Sequence, residues 1–160
     1  MVFTAKLTDA FNAQIQAEMW SSNLYLSMSI YFQDMGLSGC AQWMKKQAKE
    51  ELEHANKLID FGIMRDGKIK ISKVDAVPAE WDSPQEVFED TYNHELTVSK
   101  RIDDLMDVAI AENDKATREF LRWFINEQVE EEEAAKSILD KFKIYGVHGL
   151  SCIDHELGKR

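Results

Sequence analysis

The sequence predicts an all-α fold: a bundle of four long helices followed by a short fifth helix, in one domain over residues 1–160. Only two prolines, Pro78 and Pro84, occur, and they lie close together, so the chain on either side can form long helices. Apolar residues recur at alternating spacings of three and four along four segments, which is the period of one helix face. Two short turns and one long connection join these segments, as in a bundle with one crossover.

The first two helices are predicted over residues 4–34 and 38–65, because a glycine-containing turn follows each of them. Residues 68–82 show no helical period, and their apolar side chains predict an extended strap that packs along the bundle. These side chains are Ile69, Ile71, Val74 and Val77.

The third helix is predicted to begin at Ser83, with Pro84 at the first helical position and Glu86 at the capping-box position. It should run to about residue 111. The fourth helix should begin at residues 113–114 and end near residue 145, so the bundle spans about residues 4–145. A short helix is predicted at about residues 148–157. Because the strap returns along the bundle, the second and third helices should run parallel, with one long crossover between them.

Composition limits the classes of partner. The net charge of -10 excludes a general nucleic-acid or acidic-membrane binder and favours attraction of cations. Cys40 and Cys152 are far apart, so neither a disulfide framework nor a zinc ribbon is expected. Residues 1–9 contain no apolar run of signal-peptide length, and no segment has the apolar length of a membrane span. We therefore expect a soluble protein of the reducing cytoplasm.

A carboxylate interrupts the apolar stripe near the middle of each of the four long helices. The carboxylates are Glu18, Glu51, Glu95 and Glu131, and His54 follows Glu51 by one helical turn. A charge that faces a helical core is costly unless it is paired or binds a metal. The predicted stripe of the first helix is Phe11, Ile15, Glu18, Ser22, Tyr25 and Ser29, and that of the second is Met44, Gln47, Glu51, His54, Leu58 and Phe61. The stripe of the third helix is Phe88, Thr91, Glu95, Val98, Ile102, Leu105 and Ala109. The stripe of the fourth helix is Thr117, Leu121, Phe124, Gln128, Glu131, Ala135, Ile138 and Phe142.

Three explanations of these carboxylates compete. Each glutamate could lie at the edge of its stripe with its charge in solvent, but four coincidences at matching depth disfavour this. A buried network of ion pairs is disfavoured because no lysine or arginine lies on the four stripes. The remaining explanation is a shared pair of hard metal ions. Carboxylate oxygens with one imidazole suit iron or manganese, and bridging carboxylates can hold two divalent ions over one small molecule.

These residues and their order resemble a prokaryotic non-haem ferritin over residues 7–157. The resemblance is most specific at Glu18 and at residues 50–54, 92–95 and 126–131. It implies a ferritin-like bundle in which Glu18, Glu51 and His54 hold one iron, and in which Glu51, Glu95 and Glu131 hold a second iron. It further implies that Gln128 and Tyr25 are neighbours of this pair. It also implies a third iron site on the inner surface, with Glu50, Glu127 and Glu130 as ligands and Glu131 shared; the competing explanation of these three residues is a solvated acidic face.

The resemblance implies an iron-storage protein with ferroxidase activity: Fe(II) is oxidised by O2 or H2O2, and Fe(III) is stored as mineral within a homo-oligomeric shell of 24 subunits. No haem is expected, because Leu52 stands where haem-binding bacterioferritins carry methionine. The alternative is a di-iron oxidase or peroxidase of the rubrerythrin-like type, which would be favoured by a rubredoxin-type cysteine pair that this chain lacks. A metal-free structural bundle is disfavoured by the core carboxylates. His94, His148 and His155 are given no role.

The first helix is apolar on more than its core stripe, because Trp20, Leu24, Tyr31 and Phe32 fall outside it. A helix that is apolar nearly all round must be covered on both sides, so these four side chains predict subunit contacts. The competing explanation is a thick core within one subunit.

Overall fold

A computed structural model describes residues 2–160 of the chain. Its elements are α1 (Ala5–Asp34), α2 (Ser38–Met64), α3 (Pro84–Ala111), α4 (Lys115–Tyr145), a 3-10 turn (Val147–Gly149) and α5 (Leu150–Leu157). The described residues form no strand, so the predicted all-α class is confirmed. No helix among them combines the length and the apolar character needed to cross a membrane.

The helix starts have local causes that the sequence contains. Thr4 accepts a hydrogen bond from the Leu7 amide at 3.3 Å and begins α1. Ser83 accepts one from the Glu86 amide at 3.2 Å and begins α3, as its position before Pro84 predicts. Asp114 accepts one from the Thr117 amide at 3.0 Å and begins α4. Each cap satisfies one of the amides that a helix leaves free at its first turn.

The strap, residues 68–82, runs along α1 in the same direction as that helix. Asn12 donates a hydrogen bond to the Lys68 carbonyl at 3.1 Å, and Trp20 donates one to the Ala76 carbonyl at 3.4 Å. Farther along, the ring of Tyr31 meets that of Trp81 at 5.6 Å. The strap therefore carries the chain from the end of α2 to the opposite end of the bundle, so α3 runs parallel to α2. Ile71 differs from its predicted packing, because 62% of it remains exposed.

The strap also corrects the predicted role of the apolar residues on α1. Leu24 and Phe32 are buried within the subunit, at 4% and 0% exposure. Trp20 and Tyr31 are half-buried where they contact the strap. The prediction of subunit contacts is therefore wrong for Leu24 and Phe32, which the core of the same subunit covers. For Trp20 and Tyr31 it stays a prediction, because part of each side chain remains exposed.

Two apolar clusters fill the bundle, one toward each end. One contains Phe11, Leu58 and Leu121, and the other contains Phe32, Met44 and Phe142. The predicted stripes are buried, except for Phe61, which is half-buried. Between the clusters lies a layer of buried polar side chains. These are Glu18, Ser22, Gln47, Glu51, His54, Thr91, Glu95, Gln128 and Glu131.

Candidate metal centre

The four predicted core glutamates are buried. Glu18 is 1% exposed, Glu51 and Glu95 are 0% exposed, and Glu131 is 8% exposed. The solvated-edge explanation of these carboxylates is therefore excluded. Each glutamate comes from a different helix, and the antiparallel packing of α1 with α2 and of α3 with α4 brings all four into the layer between the apolar clusters.

Glu18, Glu51 and His54 converge at the centre of this layer. One ligand atom from each lies within 4.8 Å of the other two. His54 Nδ1 lies 3.3 Å from Glu51 Oε2 and 3.7 Å from Glu18 Oε2. Glu18 Oε2, both carboxylate oxygens of Glu51 and His54 Nδ1 are buried without a hydrogen-bond partner in the described chain. Buried polar atoms without partners are costly, so their convergence fits a bound cation.

The pKa values of these three side chains reflect the negative charge that Glu18 and Glu51 bring together. Burial lowers the pKa of His54, but the close approach of Glu18 and Glu51 outweighs burial and raises that pKa to about 11. Burial opposes ionisation of Glu18, yet His54 and Glu51 bring its pKa below the usual value. Burial and the charge of Glu18 raise the pKa of Glu51 well above its usual range. The proton on His54 therefore supplies positive charge next to the two carboxylates. A metal ion that binds His54 must displace this proton.

Glu95 lies in the same layer and is fixed by two neighbours. Tyr25 donates a short hydrogen bond to Glu95 Oε1. Gln128 Nε2 donates to Glu95 Oε2 at 3.1 Å and also lies 3.2 Å from Ser99 Oγ. Burial and the nearby charge of Glu131 raise the pKa of Glu95 to about 7. Both predicted neighbours of the metal pair, Tyr25 and Gln128, therefore contact a predicted ligand directly.

Glu131 completes the layer from α4. Gln47 Nε2 donates a hydrogen bond to Glu131 Oε2 at 2.9 Å. Burial raises the pKa of Glu131, this hydrogen bond opposes the rise, and the charges of Glu50 and Glu127 add to it. Glu50 and Glu127 therefore lie close enough to Glu131 to affect its ionisation.

The predicted inner-surface carboxylates are not gathered as the central trio is. Glu50 binds the guanidinium of Arg160 through both of its oxygens at 3.1 Å. Glu127 is half-buried and Glu130 is exposed. Among residues 2–160, only Glu18, Glu51 and His54 form a group of three potential ligands this close together.

Sequence reasoning missed several side chains that hold the ligands. Gln14 Nε2 donates to Glu18 Oε1 at 3.0 Å, and the Trp123 ring meets the His54 ring edge-on at 5.4 Å. Gln14 precedes Glu18 by four residues on the same helix. This spacing places the Gln14 amide one turn before the Glu18 carboxylate and was the available signal. Spacing on α2 does not indicate the contact of Gln47 with Glu131, because the two residues lie on different helices. No sequence signal connects Arg160 with this region.

His94 also lies against the centre. Its ring lies 5.8 Å from that of Tyr25, and its Nε2 lies 2.7 Å from Ser21 Oγ. Burial lowers the pKa of His94 to about 4, so the imidazole is neutral. A cavity of about 570 Å³ between α1, α3 and the strap borders both His94 and Gln14.

The chain is similar to known proteins in both sequence and structure. A family model described as ferritin-like domain matches residues 8–144. A bacterial non-heme ferritin of Bacteroides fragilis is 54% identical over 159 residues, covering 99% of this chain and all of the relative. A bacterial non-heme ferritin of Campylobacter jejuni is 35% identical and covers 92% of this chain and 89% of the relative. An open pore ferritin from the archaeon Archaeoglobus fulgidus superposes with a TM-score of 0.96 at 45% identity, covering 99% of this chain and 98% of that structure.

Proposed function

The chain belongs to the ferritin family, and we propose that it stores iron by oxidising Fe(II) at a two-metal centre inside each subunit. Iron storage itself is what the family and the names of its relatives support. The observation that carries the finer proposal is the close approach of the buried side chains of Glu18, Glu51 and His54, four of whose polar atoms lack a hydrogen-bond partner.

In this proposal, Fe(II) is the substrate and the side chains position it. Glu18, Glu51 and His54 bind one Fe(II), while Glu51, Glu95 and Glu131 bind the second. Carboxylate oxygens and one imidazole are ligands that iron accepts, and Glu51 can bridge because both of its oxygens lack another partner. Two Fe(II) ions give up one electron each, which reduces O2 to peroxide or H2O2 to water.

The neighbours have separate tasks in the same proposal. Tyr25 and Gln128 donate to the two oxygens of Glu95 and so fix its orientation. His54 must lose its proton before it can bind a metal through Nδ1. The apolar clusters on either side limit the access of water to the layer.

The proposal includes a third iron site formed by Glu50, Glu127 and Glu130. Glu50 is engaged by Arg160, so iron must compete with a guanidinium for that carboxylate. The remaining elements of the proposal are a single domain, a cytoplasmic location and a shell of 24 copies, within which Fe(III) mineral accumulates. No haem takes part.

Aerobic iron loading tests this function. Apo-protein receives a large excess of Fe(II), is separated by size and is assayed for iron. Storage predicts iron far beyond about two ions per chain, the capacity of a two-metal site, eluting with a very large particle. About two ions per chain on a small oligomer would instead favour the rubrerythrin-like oxidase or peroxidase.

A variant tests the centre itself. Glu51→Ala removes the proposed bridge and should abolish rapid Fe(II) oxidation while the particle size stays unchanged. Glu53→Ala, two residues away on the exposed side of α2, is the matched control and should oxidise Fe(II) normally. Unchanged oxidation kinetics in Glu51→Ala would contradict the whole assignment of the centre.

A further inference from the structure

Arg160 lies three residues beyond α5, yet its side chain reaches the region of Glu131. The guanidinium stacks over the Trp43 ring at 4.6 Å and donates to the Trp43 carbonyl at 3.1 Å. It also donates to both oxygens of Glu50 and to Gln47 Oε1. Several contacts from one planar group fix its position far better than a single ion pair does.

Gln47 lies between this cation and a metal ligand. Its Oε1 accepts from Arg160, and its Nε2 donates to Glu131 Oε2 at 2.9 Å. A guanidinium has only donors and an ionised carboxylate has only acceptors, so one orientation of the amide satisfies both neighbours. The Gln47 side chain is buried at 1% exposure, which leaves it little room to find other partners.

We propose that Arg160 is a positioning residue for the second metal, acting through Gln47 on Glu131. With Arg160 in place, the amide holds Glu131 by Oε2, and the other oxygen is left to bind the metal. Without Arg160, the amide can turn over and Glu131 loses its fixed orientation. This inference rests on the proposed function, since it assumes that Glu131 binds the second ion.

The physical basis is the general behaviour of groups that orient metal ligands. Changing such a partner commonly weakens metal binding by about 10-fold to 100-fold. Loss of a nearby positive charge alone has the opposite effect, because it strengthens the attraction of a divalent cation. Weaker metal binding in a variant without Arg160 would therefore indicate a lost orientation of Glu131, whereas stronger binding would indicate only the lost positive charge.

The test is calorimetric titration of the apo-protein with Zn(II), which undergoes no redox change. The variants are Arg160→Ala, Gln47→Leu and the double variant. Lys159→Ala, which removes a neighbouring exposed charge, is the control. We expect two ions per chain in the parent protein. Arg160→Ala and Gln47→Leu should each weaken the second ion about 10-fold and leave the first unchanged.

The double variant decides whether Arg160 acts through Gln47. It should bind the second ion no more weakly than Gln47→Leu alone, because the relay is already broken there. Gln47→Leu leaves the Arg160–Glu50 pair in place, so its effect cannot come from a freed Glu50. The inference would be overturned, but not the proposed function, if Arg160→Ala left the affinity for both ions unchanged or weakened both equally. Additive losses in the double variant would overturn it in the same way. Failure of the parent protein to bind a second ion would overturn the proposed two-metal centre and the inference with it.

Discussion

At the scale of single residues, the centre carries a cost in the absence of metal. Glu51 is fully buried, neither of its oxygens has a hydrogen-bond partner, and its pKa is raised by burial and by the charge of Glu18. Each buried polar atom without a partner commonly costs about 1–3 kcal/mol. Under the proposed function this cost has a reason, because a bound metal ion would supply the partner that the carboxylate lacks.

Removal of this charge should stabilise the apo-protein. We expect Glu51→Gln to increase the free energy of unfolding at pH 7 by about 1–3 kcal/mol, measured by urea denaturation without metal. Glu53→Gln, an exposed change on the same helix, should alter it little. Added Zn(II) should reverse the order, because it stabilises only the chain that binds it well. A lower free energy of unfolding of apo Glu51→Gln at pH 7 would show that the buried carboxylate does not destabilise the fold.

The same substitution has a defined pH dependence. A carboxyl group whose folded-state pKa is raised destabilises the fold above its unfolded pKa of about 4.3. That penalty disappears as the pH falls and the group is protonated in both states. The stability gained from Glu51→Gln should therefore be larger at pH 7 than at pH 4 and vanish below about pH 4. Urea denaturation at pH 4 and 7 measures it, and a gain that is independent of pH would rule out this origin.

At the scale of elements, α2 begins without a cap of its own. Leu37 at its N-cap makes no side-chain hydrogen bond, whereas α1, α3 and α4 each have one. The Cys40 amide instead donates to Asp154 Oδ1 at 2.8 Å. Gly39 allows this approach, because a Cβ there would lie 1.8 Å from the Asp154 carbonyl oxygen. The short α5 therefore caps the start of α2 from another part of the chain.

This contact can be broken in two ways. Gly39→Ala should force α5 away and cost about 3 kcal/mol by overpacking. Asp154→Ala should cost about 1 kcal/mol through the lost cap, while Asp154→Asn keeps an acceptor and loses less. Urea denaturation gives the stability, and amide exchange in α5 reports its detachment. Ser151→Ala, exposed on α5, is the control. Protected α5 amides in Gly39→Ala would contradict the proposed coupling.

At the scale of the whole molecule, two of the four side chains on α1 that predict subunit contacts are buried within the subunit itself. Leu24 and Phe32 lie in the core, whereas Trp20 and Tyr31 contact the strap and remain half-buried. Leu26 and Ile30 remain on α1, one turn apart, at 47% and 54% exposure. We predict that this part of α1 forms a subunit contact, because neighbouring exposed apolar side chains favour association.

Charges placed on that surface should prevent assembly. The double variant Leu26→Glu with Ile30→Glu should elute as a small species, because burying two carboxylates in an apolar contact is unfavourable. Circular dichroism should show an unchanged helix content, since both side chains lie outside the core. Light scattering after size separation measures the mass, and Ser137→Glu, exposed on α4, is the control. A full-sized particle in the double variant would place the contact elsewhere.

Much of the fold and of the centre follows from local pattern alone. Helical period identifies the four stripes and places Glu18, Glu51, His54, Glu95 and Glu131 on buried faces, where the structure has them. Local capping residues such as Ser83 set helix starts to within a residue or two. These features depend on residues three or four apart on one helix, so the sequence can encode them directly.

The tertiary structure decided what depends on contacts between distant segments. No period shows that the strap contacts Trp20, that Asp154 caps α2, or that Arg160 reaches Gln47 and Glu50. Residues more than a hundred positions apart form the last two contacts, and their meeting depends on how α5 folds back on the bundle. The sequence thus determined which carboxylates enter the core. Only the packed helices decided how Glu95 and Glu131 are held, because Gln128 and Gln47 donate hydrogen bonds to them from other helices.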